Sequence, residues 1–296
     1  MKLLGIVLAV QVVLGITLVA LVATENLPFT GEHDADGSAA GAAAVRADRF
    51  DGHAAFRLLR RQVEIGPRPA GSPESRQLAR LLKRIVPRGR YQDVPGGLRN
   101  VIGTVHGREP GYVVLGAHYD TKDIPGFVGA NDGASGTAVA AQLARTLRGP
   151  RHTVKFVFFD GEEAPRGVPD SRFEEEGLRG SKVAAETFAD ARAMVLLDFV
   201  GDRELTIRYE QNSAPGLWRK LRVSARRVGA LRVFPAGSQG AVSDDHVPFI
   251  ERGVPSIDLI DFDFPCWHRR CDDMSAVSER SVDAVGETVF ELLRGL

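Results

Sequence analysis

The chain has 296 residues, with 38 Lys plus Arg against 38 Asp plus Glu and a formal net charge of zero. That balance excludes the basic footprint expected of a nucleic-acid binder, while an apolar content of 44% is ample for a core. Length alone allows one large domain or two small ones.

After Lys2 the run LLGIVLAVQVVLGITLVALVAT carries no charge until Glu25. It is long enough to span a bilayer as a helix, or to serve as a secretory signal. Ala23 suits the last position before a cleavage site, but Leu21 is large for the position two before it. Residues 1–24 are therefore read as a signal anchor or signal peptide, the uncleaved form being preferred, with Lys2 on the cytoplasmic side and the remainder exported. Residues 25–47, centred on EHDADGSAAGAAA, show no periodicity and read as a flexible linker. No internal repeat and no second such linker follows, so 48–296 is expected to be one catalytic domain.

Residues 49–64 place Ala55, Leu58, Leu59 and Val63 on one helical face. GPRPAGSP breaks that helix, and Ser72, Pro73 and Glu74 start the next, to about Val86, as N-cap, first helical residue and first-turn acid. Strands are expected at NVIGTVHG, YVVLGAHYD, VKFVFFDGEE, AMVLLDFVG and VPSIDLIDF, and helices over 134–148, 180–189, 214–228 and 281–294. Apolar runs alternating with helices predict a single α/β domain: a mostly parallel twisted sheet sandwiched by helices.

Several of these runs end in potential ligands. FVFFDGEEAP passes from four apolar residues to Asp160, Glu162 and Glu163, and adjacent carboxylates resist ionising together unless a cation or donor offsets them. In open parallel sheets, ligands bind beyond the carboxyl ends of the strands. YVVLGAHYD ends in His118 and Asp120, two apart and so on one face, where Asp120 would hold the second ring nitrogen of a ligating His118. Asp132 precedes the helix at Ala134, Asp198 ends another apolar run, and Trp267 and His268 follow the last strand. Singly, these read as a helix cap, a turn residue or ordinary histidines. Together, two histidines and several carboxylates at strand ends suit the nitrogen and oxygen ligands of zinc. CWHRRC holds the only two cysteines, Cys266 and Cys271. A local disulfide is expected of an exported chain. Zinc ligation lacks the paired spacing of a structural site, and two free thiols are the remaining possibility.

The motifs GPRPAGSP, NVIG, AHYD, GANDGASG, DGEE, LLD, SDDHVPF and the late His268 resemble, in order over residues 66–268, the co-catalytic zinc aminopeptidases of metallopeptidase family twenty-eight. The resemblance implies a zinc exopeptidase-like fold and a site built from His118, Asp132, Glu163, Asp198 and His268. Asp132 would bridge if two metals bind, and Glu162 would be the general base. Within that superfamily HYDTK, FVGAND, VFFDGEEA, LLDFVG, DDHVPFIERGVP and FPCWH are closer to the glutaminyl-peptide cyclotransferases, as is the insertion PRGVPDSRFEEEGLR. GANDGASG is closer to the aminopeptidases, and no aromatic of the insertion matches near Arg166 to Val168.

The cyclase resemblance implies conversion of N-terminal glutamine to pyroglutamate with one zinc. Asp244, with Asp198, would serve catalysis, Asp244 sharing a proton with Glu162, and Trp267 and Phe264 would wall the substrate pocket. The alternatives are an aminopeptidase with two zinc ions, and a membrane-tethered binding ectodomain without catalysis, against which the intact Glu162 argues. The partners implied are peptide or protein N-termini and, through the N-terminal segment, the membrane. The location implied is extracytoplasmic.

Overall fold

The apolar runs that end in carboxylates form the centre of a six-stranded sheet in the computed structural model, which describes residues 45–296. Its strands are β1 (Arg90–Val94), β2 (Leu98–Val105), β3 (Glu109–His118), β4 (His152–Phe159), β5 (Met194–Leu197) and β6 (Ser256–Leu259), in the order β1-β2-β4-β3-β5-β6. β4, β3, β5 and β6 are parallel, whereas β1 and β2 run antiparallel at one edge. The helices are α1 (Gly52–Ile65), α2 (Pro73–Ile85), α3 (Ala134–Thr146), the single turn α4 (Phe173–Glu176), α5 (Arg179–Thr187), α6 (Pro215–Val228), α7 (Val247–Glu251) and α8 (Glu279–Gly295).

The central strands lack alternation because both faces are covered. Val154, Phe156 and Phe158 of β4 join the large core beneath α1, α2, α3, α6 and α8. Their neighbours Val157 and Phe159 enter a smaller core with Ala184 and Phe188 from the α5 region and Phe249 of α7. Gly136 lets α3 lie directly on β5: a Cβ there would sit 2.1 Å from the Leu197 carbonyl oxygen. Ser72 caps α2 by accepting from the Ser75 N–H, with Pro73 at its first position.

Three elements were not expected from the sequence. RYQDV forms β1, an edge strand too polar to show an apolar pattern, joined to β2 through Gly96 and Gly97 at φ 81° and 75°. Positive φ at successive residues is the hairpin signature that glycine meets without strain. The single turn α4 and the short α7 are the other two. β4 also stops at Phe159, so DGEE lies beyond the strand.

Gly41–Leu296 forms one compact unit with its own core and all the elements above. The segment expected to be a signal or anchor, 1–24, and nearly all of the segment expected to be a linker, 25–47, lie outside the described residues. Among the described residues no helix is long and apolar enough to cross a membrane.

Candidate active site

The carboxyl ends of β3, β4 and β5 converge on one spot. β3 ends in His118, β4 runs into Glu162 and Glu163, β5 into Asp198, Asp132 lies just before α3, and the segment after β6 brings in His268. His118 Nε2 lies 3.3 Å from Asp132 Oδ1 and 3.2 Å from Asp198 Oδ1. His268 Nε2 lies 3.6 Å from Asp132 Oδ2 and 3.3 Å from Glu163 Oε1. Two donor groups result, His118–Asp132–Asp198 and Asp132–Glu163–His268, the ligand atoms of each within 4.8 Å of one another and Asp132 common to both. Phe199 and His268 hold positive φ, 49° and 52°. Such strain in non-glycine residues persists where surrounding structure over-determines it, commonly at functional sites.

Scaffolding aims these groups. The Asp272 carboxylate accepts the N–H groups of Asn131 and Asp132 at 2.7 and 3.0 Å. Arg68, from GPRPAGSP, is fully buried and donates to the carbonyls of Gln62, Gly66 and Val128, tying α1 to the loop that carries Asp132. Asp120 accepts the N–H groups of Glu162 and Glu163, each at 3.3 Å. Its distance to His118 Nδ1 is 3.7 Å, so the direct hydrogen bond expected of that pair is not made. Asp120 instead serves the DGEE turn.

The two adjacent glutamates sit in different fields. Burial, then the charge of Glu163, pushes Glu162 well above the usual carboxylate range. Burial acts on Glu163 too, but the His268 hydrogen bond and charge and the nearby Lys122 ammonium outweigh it and hold Glu163 low. Lys122 Nζ lies 3.0 Å from Glu163 Oε2. Burial raises Asp198 to about 8. A buried cluster this rich in carboxylates calls for a cation. Asp132 Oδ2 and Glu163 Oε1 are buried without hydrogen-bond partners, and both face His268 Nε2. The donor set therefore fits zinc, which takes histidine nitrogen and carboxylate oxygen together.

A cavity of 440 Å³ opens beside this cluster, lined by Glu162, Asp198, Asp244 and the aromatics Phe173, Phe199, Phe262 and Trp267. Trp267 lies against His268 with ring centroids 4.6 Å apart, and Phe262 against Trp267 at 5.0 Å. Phe264 is not a wall: it is buried behind Phe199, 6.2 Å away, because the turn from Asp261 to Phe264 presents Phe262 to the cavity instead. Phe173, at the start of α4, is the aromatic that the insertion contributes, some residues later than sequence reasoning looked for it.

Asp244 raises Glu162 through its charge, behind burial and Glu163, but no hydrogen bond joins the two. Burial, and then the charge of Asp244, push Asp258 well above the usual carboxylate range. Behind Asp244 lies a buried group the sequence did not disclose: Glu210 Oε2 is 3.2 Å from His246 Nε2, and His246 Nδ1 is 3.8 Å from Asp258 Oδ2. Burial opposes ionisation of Glu210, yet His246 and the N–H groups of Asn212 and Val242 hold it at about 2. Only the SDDH motif hinted at this group; Glu210 stands in a segment with no distinguishing pattern.

Comparison with known proteins agrees with this geometry. The curated relatives include the glutaminyl-peptide cyclotransferases of Bos taurus, 29% identical over 224 residues, and Drosophila melanogaster, 27% identical over 223 residues. Each alignment takes in 62% of this chain, which spans 62% and 61% of those relatives' lengths. Among solved structures, the glutaminyl cyclase of Porphyromonas gingivalis superposes with a TM-score of 0.74 at 31% identity, covering 84% of this chain and 99% of that one. A leucine aminopeptidase precursor from Bacteroides thetaiotaomicron gives 0.75 at 27% identity, covering 85% and 99%. The model of peptidase family M28 matches residues 100–293, a stretch that holds every donor described above. On that match, and on the fold and donor set that accompany it, the chain belongs to peptidase family M28.

Proposed function

We propose that the chain is a zinc-dependent glutaminyl-peptide cyclotransferase, which converts an N-terminal glutamine to pyroglutamate and releases ammonia. The observation that carries this reading is the aromatic cavity, in which Phe173, Phe199, Phe262 and Trp267 surround Glu162 and Glu163. Walls of this kind suit one side chain and favour an internal nucleophile over bulk water. The cyclotransferases among the relatives support it.

Zinc bound by Asp132, Glu163 and His268 would polarise the γ-carbonyl of the substrate glutamine. The chain's own residues supply the remainder. The aromatic walls hold the side chain folded back, so that the α-amine faces the γ-carbon, and positioning of this kind accounts for much of the rate. The amine forms the new C–N bond as the γ-amide C–N bond breaks. Glu162 takes a proton from the amine and delivers it to the departing nitrogen, which leaves as ammonia. Burial pushes that carboxyl upward, which favours its holding the proton between the two nitrogens.

A second reading, hydrolysis of N-terminal residues by a two-metal aminopeptidase, is favoured by the other donor group, His118–Asp132–Asp198. The test is to incubate the zinc-loaded protein with a Gln-initiated and a Leu-initiated peptide and follow both by mass spectrometry. Ammonia loss from the first is expected. Faster release of leucine from the second would overturn the cyclase reading, and no reaction with either would favour a binding ectodomain.

The proposal extends to location: outside the cytoplasm, with residues 1–24 as an anchor or a cleaved signal. The Cys266–Cys271 disulfide supports an oxidising compartment. Membrane fractionation with N-terminal sequencing tests both halves: recovery of the chain with reduced thiols in the cytosol would contradict it.

A further inference from the structure

We propose that the outer face of α6 is a docking surface for an anionic lipid bilayer, seated so that the active-site mouth points away from the membrane. α6 buries Leu217, Trp218, Leu221, Ala225 and Val228 and turns Arg219, Lys220, Val223, Arg226 and Arg227 to solvent. These fall at spacings of three, four and seven, which is one helical stripe. Val223 is 48% exposed amid four cations. Arg227 shares Glu291 with Arg49, at 3.2 and 3.0 Å, while Arg219, Lys220 and Arg226 make no ion pair among the described residues. Two grooves flank the stripe, one holding Arg192 and Lys220, the other Arg219, Lys220 and Arg227, and Glu291 is the one acidic side chain lining either.

The first groove is also lined by His152, which starts β4, and Ala193, which precedes β5. The catalytic carboxylates lie at the opposite ends of the same strands. The cationic stripe of α6 thus borders the end of the sheet remote from the site. An anionic surface attracts such a stripe.

The occupant follows from where the described chain begins. The Arg46 N–H donates to the Val228 carbonyl at 2.9 Å, so the described chain begins beside the last turn of α6. The uncharged run that ends at Thr24 is about twenty residues away, a span of at most about 70 Å however the chain is arranged. A membrane holding that run would keep the domain within that reach of its surface, where weak contacts by α6 suffice because the effective concentration is high. A second copy is a poor occupant, since a cationic patch is not complementary to itself.

The setting rests on the anchored reading of residues 1–24, but the test does not. Gly41–Leu296, which has its own core, is sedimented with vesicles of phosphatidylcholine alone and of phosphatidylcholine with phosphatidylglycerol. We expect binding to the anionic vesicles only, weakening from 20 mM toward 150 mM salt as screening shortens to about 8 Å. Each cation removed should lower partitioning about fivefold, which corresponds to about 1 kcal/mol per Lys or Arg at an anionic surface. Arg219→Ala, Lys220→Ala and Arg226→Ala combined should then cost on the order of a hundredfold, while exposed Arg76→Ala with Arg80→Ala on α2 costs little. Circular dichroism and peptide turnover, both unchanged in the triple variant, exclude misfolding as the cause. Equal binding to both vesicle types, no binding at low salt, equal losses in the two variants, or tighter binding to a DNA duplex under the same conditions would each overturn the proposal. Vesicle binding and peptide turnover are read separately, so failure of one leaves the other standing.

Discussion

Glu162 and Glu163 are neighbours in the chain, yet their surroundings push their acidities apart, one above the usual range and one below it. Such a split assigns roles: the group that stays ionised holds a cation, and the group that readily carries a proton moves it. Glu162→Gln keeps shape and removes the proton carrier, so turnover should fall by about 10²–10⁴-fold while bound zinc, read by atomic absorption, is unchanged. Glu163→Ala and His268→Ala remove donors and should each weaken zinc binding by at least about tenfold; full metal content in both would refute the site. His118, Glu163 and Asp198 were legible because each follows an apolar run whose pattern is local, whereas Asp132 and His268 were reached through the family resemblance. Phe262 was not, because a turn rather than an alternation decides whether residue 262 or 264 faces the cavity. Glu210, His246 and Asp258 were not, because their burial is set by packing between distant segments.

At the scale of elements, the segment after β6 carries most of what distinguishes the site. It supplies Phe262, Trp267 and His268, and the disulfide Cys266–Cys271 closes it across a Cα–Cα distance of 5.4 Å. Closing so short a loop stabilises by about 2 kcal/mol. Cys266→Ser with Cys271→Ser should lower stability by that order and weaken zinc binding about tenfold, equivalent to about 1.4 kcal/mol, because His268 is no longer held. Intact-mass analysis of the unaltered chain should show a deficit of two hydrogens; two alkylatable thiols without reductant would contradict the bridge. The same segment contains Asp261, which accepts the Thr206 N–H at 2.8 Å and is raised to about 6, chiefly by burial. An acid raised in the folded state binds more protons there than when unfolded, so its neutral form is favoured and stability is lost as pH rises from about 4 to about 6. The loss reaches at most about 3 kcal/mol. Asp261→Asn keeps an acceptor and cannot ionise. It should stabilise at pH 8 and be near neutral at pH 4.5 in urea unfolding; an equal effect at both pH values would show that the charge is not responsible.

For the whole molecule, the layered architecture followed from alternating apolar runs and helices, but the antiparallel edge did not. β2 is buried along most of its length, as a parallel strand would be, and only its pairing to β4 sets its direction. Polar β1 offers no apolar period at all. The assembled fold concentrates buried carboxylates at one end of the sheet, and a metal bound there should stabilise the entire unit in a pH-dependent way. Without metal, burial raises Asp198 to about 8 and moves Asp132 and Glu162 upward as well. The folded apo form then binds more protons than the unfolded chain, so its stability falls as pH rises from about 4 toward 8. A bound cation favours the ionised forms and removes that loss. At a free zinc concentration one hundred times Kd the added stability is about 2.7 kcal/mol, or roughly 5–10 °C in Tm for a domain of this size. The gap between zinc-loaded and chelated protein should therefore be small near pH 5, where protons compete for the donors, and wide at pH 8. Thermal unfolding with and without a chelator at both values measures it. A gap independent of pH would mean that the carboxylate cluster does not hold the metal.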